Sequence, residues 1–285
     1  MAAEFMRRLI GRPAPPEIQD ALEELKRLAT EKPALAEGTR FLSEALPILF
    51  GEPMNPSSPS AKPGGEGEEG TPAFRNAKLP PDAGFALRWK KICAVVRQPQ
   101  ATAIAKALQS VSLDSGWLLA ETFAGRPETI HARAAELGLD PGLTATVLRL
   151  TMFPLLCAIH KAVSAKQATD RWEYGYCPTC GSWPLLGEFR GLEQTRVLRC
   201  AWCAAGWEFT RMRCPFCDNR DHRRLSYLHA EGEQDRWRAV TCDECRGYVK
   251  MVTSLAAMPV PRLLVADVAT LHLDLVAAER GFGVP

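Results

Sequence analysis

The chain has almost no net charge, no long apolar run, few histidines, and hardly any cysteine outside one short stretch. Its 35 Lys and Arg against 33 Asp and Glu leave +2 over 285 residues, which excludes a general attraction to nucleic acid or acidic membranes. The most apolar stretch, Val147 to Ile159, is interrupted by Arg149 and Pro154. It is expected to fall short of the roughly 20 residues that cross a bilayer, so no membrane insertion is expected. Met1 to Arg12 carries Arg7, Arg8 and Arg12 but no apolar core of leader length, so no export signal and a reduced, cytoplasmic setting are expected. Five histidines are present. His131 and His160 lack the acidic or histidine companion of a catalytic pair, and His222 and His229 read as loop or strand residues. Cys93 and Cys157 lie alone among apolar neighbours and read as small core residues.

The other eight cysteines form four Cys-x-x-Cys pairs within 69 residues: Cys177/Cys180, Cys200/Cys203, Cys214/Cys217 and Cys242/Cys245. Such a turn places two sulfurs where both can bind one ion at about 2.3 Å, so two turns complete a tetrahedral shell. Gaps of 19, 10 and 24 residues separate the pairs. The long gaps read as hairpins, Trp183 to Phe189 with Arg196 to Leu198 about Gly191, and Arg224 to His229 with Trp237 to Val240 about Glu231/Gly232; Tyr248 to Val252 adds a strand. Sequential pairing follows: Cys177, Cys180, Cys200 and Cys203 at one site, Cys214, Cys217, Cys242 and Cys245 at the other. A cross-braced arrangement of first with third and second with fourth is the alternative. An oxidised disulfide framework would instead require an exported chain.

Closed four-sulfur shells are structural, since a catalytic zinc keeps one position open. Zinc is the default ion, and iron in a rubredoxin-like site uses the same ligands. From Cys177 to Thr253 there are twelve Arg and Lys against ten Asp and Glu. Two tetrathiolates at minus two each bring the loaded module to about minus two, which argues against a nucleic-acid-binding ribbon. The arginines then read as counter-charge for thiolates.

Upstream the pattern is helical. Ile18, Ala21, Leu22, Leu25, Leu28 and Ala29 share one face; a second helix is expected from about Ala34 to Phe50, with Phe41, Leu42, Leu46 and Leu49 in the core. Glu52 to Gly70 changes to Pro, Ser, Gly and Glu and reads as a flexible loop. Phe85, Leu87, Trp89, Ile92, Val95 and Val96 read as a buried segment, followed by helices at Ala101 to Leu108, Trp117 to Phe123 and Glu128 to Gly138. A long helix from Pro141 to about Ala165 is expected to be central. After the cysteines, Pro259 and Pro261 lead into one last helix with a stripe of Leu264, Val268, Leu271 and Leu275. An acid-base group from Asp267, His272 and Asp274 is rejected, because His272 points elsewhere.

Cys177-Pro178-Thr179-Cys180-Gly181-Ser182, Cys200-Ala201-Trp202-Cys203 with Trp207, Cys214-Pro215-Phe216-Cys217, and Cys242-Asp243-Glu244-Cys245 with Gly247-Tyr248-Val249-Lys250 together resemble the formate dehydrogenase accessory protein FdhE family. Ala266 to Asp274 is similar to that family's closing helix. The likeness spans Tyr176 to Gly281, and Glu52 to Gly70 departs from it. It implies a non-enzymatic cytoplasmic maturation factor that contacts the catalytic subunit of respiratory formate dehydrogenase, with zinc or iron on all eight cysteines. The alternatives are a redox-active rubredoxin-like iron protein acting on that client and a nucleic-acid-binding zinc ribbon. The expected fold is α+β: a helical domain at 1–170 with a flexible loop at 52–72, four-cysteine modules at 171–212 and 213–255, rubredoxin-like or zinc-ribbon in kind, and a C-terminal helix packing back from 256–285.

Overall fold

A computed structural model describes residues 15–51, 70–74, 84–98, 100–109, 114–123, 126–164 and 172–284. The bulk of the Pro/Gly/Glu segment and the first residues lie outside these. Helix α1 (Pro16–Glu31) buries Ile18, Ala21, Leu25 and Leu28, the face the periodicity predicts. After a 3-10 turn at Pro33–Leu35, α2 (Ala36–Phe50) carries Pro47 within its last turn. Then follow α3 (Phe85–Val96), α4 (Ala101–Gln109), α5 (Ser115–Phe123), α6 (Pro127–Glu136) and α7 (Pro141–Ser164). Leu87, expected inside, is 54% exposed on α3, because the chain buries Arg88 and Trp89 instead. The Arg88 Nε donates to the Thr151 carbonyl at 3.0 Å, which satisfies one donor of a guanidinium held in the core.

Asp140 opens α7 by accepting from the Leu143 N–H at 2.6 Å. Contrary to the sequence expectation, Pro141 to Ala162 is long and apolar enough to cross a membrane. Most of that stretch is buried within the protein, as expected of a central core helix. Its buried residues pack in one hydrophobic core with those of α1 to α3.

The cysteine-rich half forms one six-stranded sheet in the order β3-β2-β1-β6-β5-β4. Strands β1 (Pro184–Arg190), β2 (Thr195–Cys200) and β3 (Gly206–Glu208) lie between or just after the first two pairs, and β3 was not foreseen. Strands β4 (Leu225–Leu228), β5 (Trp237–Cys242) and β6 (Tyr248–Ser254) follow the third pair. Within each half the strands pair antiparallel, and the halves join by parallel pairing of β1 with β6, Gly187 opposite Met251. Glycine gives room at that junction: a Cβ at 187 would lie 2.6 Å from the Met251 sulfur, which would have to move. The two modules therefore share a backbone ladder as well as a linker.

The last helix of the sequence reading is two helices, α8 (Val260–Ala269) and α9 (Leu271–Glu279). Thr270, at φ −108° and ψ 14°, leaves the helical region between them. The break ends the expected stripe: Leu264 is buried, whereas Leu275 is 67% exposed and Leu273 and Ala277 take the inner positions. Helix α8 packs on α1 and α2 while α9 lies against β4, β5 and β6, so this pair ties the helical part to the sheet.

Candidate metal centres

Four turns of one construction present the eight cysteines. In the first, the Cys177 N–H donates to the Ser182 carbonyl at 2.8 Å and Gly181 N–H to the Cys177 carbonyl at 2.9 Å. The same pair of bonds recurs from Cys200 to Ala205 and Ala204 to Cys200, and from Cys214 to Asn219 and Asp218 to Cys214. In the fourth, Cys242 donates to the Gly247 carbonyl at 2.9 Å. Backbone N–H groups inside the turns point at sulfur: Thr179 to Cys177 and Trp202 to Cys200, each at 3.3 Å, and Gly247 to Cys245 at 3.4 Å. These donors stabilise thiolates rather than thiols.

The turns combine sequentially, and the cross-braced alternative is not observed. The sulfurs of Cys177, Cys180, Cys200 and Cys203 lie within 4.8 Å of one another, as do those of Cys214, Cys217, Cys242 and Cys245. Cys177 to Cys203 is 3.6 Å and Cys180 to Cys200 is 3.4 Å; Cys214 to Cys245 and Cys217 to Cys242 are both 3.7 Å. A tetrahedron with metal–sulfur bonds near 2.3 Å has edges of about 3.8 Å, whereas a disulfide would bring two sulfurs to about 2.05 Å. The sulfur sets thus have the size of a metal shell, and all ten cysteines are free thiols.

The sulfurs of each set ionise unequally. Cys177 is pulled well below the ordinary thiol range, because hydrogen bonds from Cys180, Cys200 and Cys203 outweigh its burial. Cys180 is pushed well up by its bonding to Cys177 and Cys200, and Cys203 by burial first. In the second set burial raises Cys214, and raises Cys245 to about 11. Cys242 is lowered, its burial being outweighed by the N–H groups of Cys245 and Glu244 and by Cys217 and Asn219. Four crowded sulfurs share their negative charge poorly by themselves, and only a cation among them lets all four ionise.

The sets differ in depth. Cys177, Cys200 and Cys203 are fully buried, whereas Cys217 in the second set is exposed. The turns of the two sets also touch: a Cβ at Gly175 would strike the Pro215 carbonyl oxygen at 1.8 Å, so glycine alone permits the approach. Tyr176, Trp183 and Phe216 form an aromatic row across this contact, with ring centres 6.1 and 5.4 Å apart. Gly70 to Phe74, at the end of the expected flexible loop, is fastened here. The Gly70 carbonyl accepts from the Tyr176 hydroxyl at 2.7 Å, and Ala73 and Phe74 donate to the Pro178 and Thr179 carbonyls, each at 2.8 Å.

The remaining candidates separate as follows. Cys93 and Cys157 are buried core thiols, Cys93 raised to about 11 by burial. His160 lies near the first set, with Nδ1 3.0 Å from the Thr179 hydroxyl, and burial lowers its pKa. Asp267 and Asp274 do come together, over the buried Lys250 ammonium at 2.7 Å each, and the Tyr248 hydroxyl donates to Asp274. His272 points away to Glu233 at 2.7 Å. The sequence reading missed Lys250 because a lysine on a strand otherwise reads as solvent-facing. A second missed cluster is Glu188, fully buried on β1, which accepts from Arg199, Arg190, Ser254 and the Met258 N–H.

Helices at the N-terminal end, a sheet shared by two ribbons and a pair of matched sulfur sets define an α+β protein with two closed four-cysteine knuckle centres. The family model described as "FdhE, C-terminal domain" matches residues 212–284. A protein FdhE homolog of Stutzerimonas stutzeri (strain A1501) is 39% identical over 116 residues, which cover 40% of this chain and 37% of the relative. One from Aquifex aeolicus (strain VF5) is 33% identical over 150 residues, 50% of this chain and 52% of the relative. The matched stretch thus spans about a third to half of these relatives. The crystal structure of the FdhE protein from Pseudomonas aeruginosa superposes with a TM-score of 0.59 over 95% of both chains at 23% identity, so the described residues share that fold.

Proposed function

We propose that the protein is a non-enzymatic, cytoplasmic accessory factor that binds the catalytic subunit of formate dehydrogenase and supports its activation. The observation that carries the reading is the sulfur arrangement. Eight cysteines in two shells of metal-ligand size stiffen a sheet in a segment related to FdhE, and four thiolates per shell leave no coordination position for a substrate. Cys177, Cys180, Cys200 and Cys203 hold one ion, zinc or iron, and Cys214, Cys217, Cys242 and Cys245 the other. The ion supplies the charge that keeps four thiolates together, and the turns hold the surrounding loops in a fixed shape for the client. In this proposal the chain divides into a helical domain to residue 170, modules at 171–212 and 213–255, and a closing segment from 256.

A tagged chain prepared without oxygen is expected to co-purify with the formate dehydrogenase catalytic subunit, and a deletion strain is expected to lose formate dehydrogenase activity. Absence of the client together with normal activity in the deletion strain overturns the reading. A second reading, in which iron at the second centre exchanges electrons with the client, is favoured by the exposure of Cys217. Its mark is a visible absorbance that bleaches with reductant.

A further inference from the structure

Two arginines are held inside the protein beside the sulfur centres, and neither belongs to the unit whose cysteines it faces. Arg149 interrupts the apolar run of α7. Its Nη1 donates to the Ala201 carbonyl at 3.2 Å, inside the turn that carries Cys200 and Cys203. About three turns further along α7, His160 meets Thr179 in the other turn of the same centre, so this helix lies across both. Burial pulls the Arg149 pKa down, and the negative charges of Asp267 and Cys200 oppose that. Asp267 is already answered by Lys250 at 2.7 Å, a cation it shares with Asp274.

Arg196 repeats the arrangement one unit further along the chain. It lies on β2 of the first ribbon and is 2% exposed. The Nη1 donates to the carbonyls of Thr210, Arg211 and Arg213 at 3.3, 3.4 and 2.9 Å, and Arg213 directly precedes Cys214 of the second centre. Burial pulls the Arg196 pKa down to about 10, against the charge of Cys214 beside it. Its Nε and Nη2 are buried without a hydrogen-bond partner, which leaves the Cys214 sulfur as the negative group at its side. Other arginines near the cysteines are answered by carboxylates: Arg199 by Glu188, Arg213 by Asp218, Arg224 by Glu244 and Arg246 by Asp243. A buried cation needs a negative partner, and four thiolates around one divalent ion carry minus two.

We infer that Arg149 and Arg196 are the outer counter-charges of the first and second centre, each delivered by the unit that precedes that centre in the chain, and that each sets the ion affinity of its own centre. The inference rests on the reading that both centres hold an ion. Loading converts protonated thiols into a shell of net negative charge, so removing the nearby cation weakens the loaded state more than the metal-free one. The first centre therefore depends on the helical half, and the second on the first ribbon.

The test is titration of the reduced, metal-free full chain with zinc against a competing chelator. The wild-type chain is expected to take up two ions. Arg149→Gln keeps a donor for the Ala201 carbonyl and loses the charge; it is expected to weaken one ion at least tenfold and leave the other at wild-type affinity, which also shows that the variant is folded. Arg196→Gln is expected to weaken the other ion alone, and the double variant both. Arg149→Lys and Arg196→Lys keep the charge and are expected to recover most of the loss, which a purely structural role for the fork would not allow. Wild-type affinities in the glutamine variants, equal weakening of both ions by a single variant, or lysine variants as weak as the glutamine ones overturn the inference. Should a glutamine variant not fold, its lysine counterpart decides: two ions near wild-type affinity uphold the inference and loss of either overturns it. Fewer than two ions in the wild-type chain overturns the two-centre reading itself.

Discussion

The fourth residue after the first cysteine of every pair sits in left-handed backbone: Gly181 at φ 80°, Ala204 at 56°, Asp218 at 63° and Arg246 at 60°. This is the bend that returns the chain beneath its sulfurs, and it is costly for any residue with a Cβ. Ala204→Gly is therefore expected to keep or raise stability by up to about 1 kcal/mol, relief of the bend being partly offset by a looser unfolded chain. Ala204→Val, branched at the bend and buried, is expected to cost about 2 kcal/mol. Denaturant titration of the metal-loaded variants checks both. The sulfurs themselves predict a pH dependence. Burial and crowding raise Cys203, Cys214 and Cys245, so these bind protons near neutrality that a metal must displace. Metal uptake is expected to release protons, and affinity to rise with pH; equal affinity at pH 6 and 8, measured against a competing chelator, contradicts this.

At the scale of elements, one buried lysine of the sheet holds both α8 and α9. Lys250 on β6 is 4% exposed and holds Asp267 of α8 and Asp274 of α9. Burial opposes its charge, but the two carboxylates outweigh that and raise its pKa. A raised folded value means that this contribution is complete below the ordinary lysine range and is lost as pH rises through the folded value. Lys250→Met is expected to cost about 3 kcal/mol, since it leaves two half-buried carboxylates without their cation. Asp267→Asn with Asp274→Asn in the same chain should recover part of that loss, and thermal unfolding at neutral pH measures it. This contact also marks a limit of sequence reading. Cysteine spacing and the hairpin signals about Gly191 and Gly232 locate five of the six strands. The apolar period locates the helices, but a helix break at Thr270 has no proline or glycine to announce it. Partners 17 and 24 residues away from Lys250 meet only through the tertiary fold. The Gly187 to Met251 register, which makes one sheet of two ribbons, is equally invisible without the fold.

For the whole molecule, the continuous sheet and the α8–α9 bridge make the helical part and both modules mechanically dependent. Lys32 of the connection after α1 reaches Glu233 at 2.6 Å, and Arg262 of α8 reaches Glu24 of α1 at 3.1 Å, so contacts across the halves are polar as well as apolar. Loss of one centre should consequently be felt unequally. Cys200→Ser strikes the buried set beneath β1 and β2 and is expected to lower the melting temperature more than Cys217→Ser, which strikes an exposed ligand. Each should reduce the metal content from two ions per chain to about one. The most direct measurement is metal analysis with X-ray absorption on protein prepared without oxygen. The account predicts two ions per chain, each with four sulfur neighbours near 2.3 Å, and the buried Cys177, Cys200 and Cys203 closed to alkylation. Metal-free protein whose eight cysteines all react, or in which they are joined as disulfides, would contradict it.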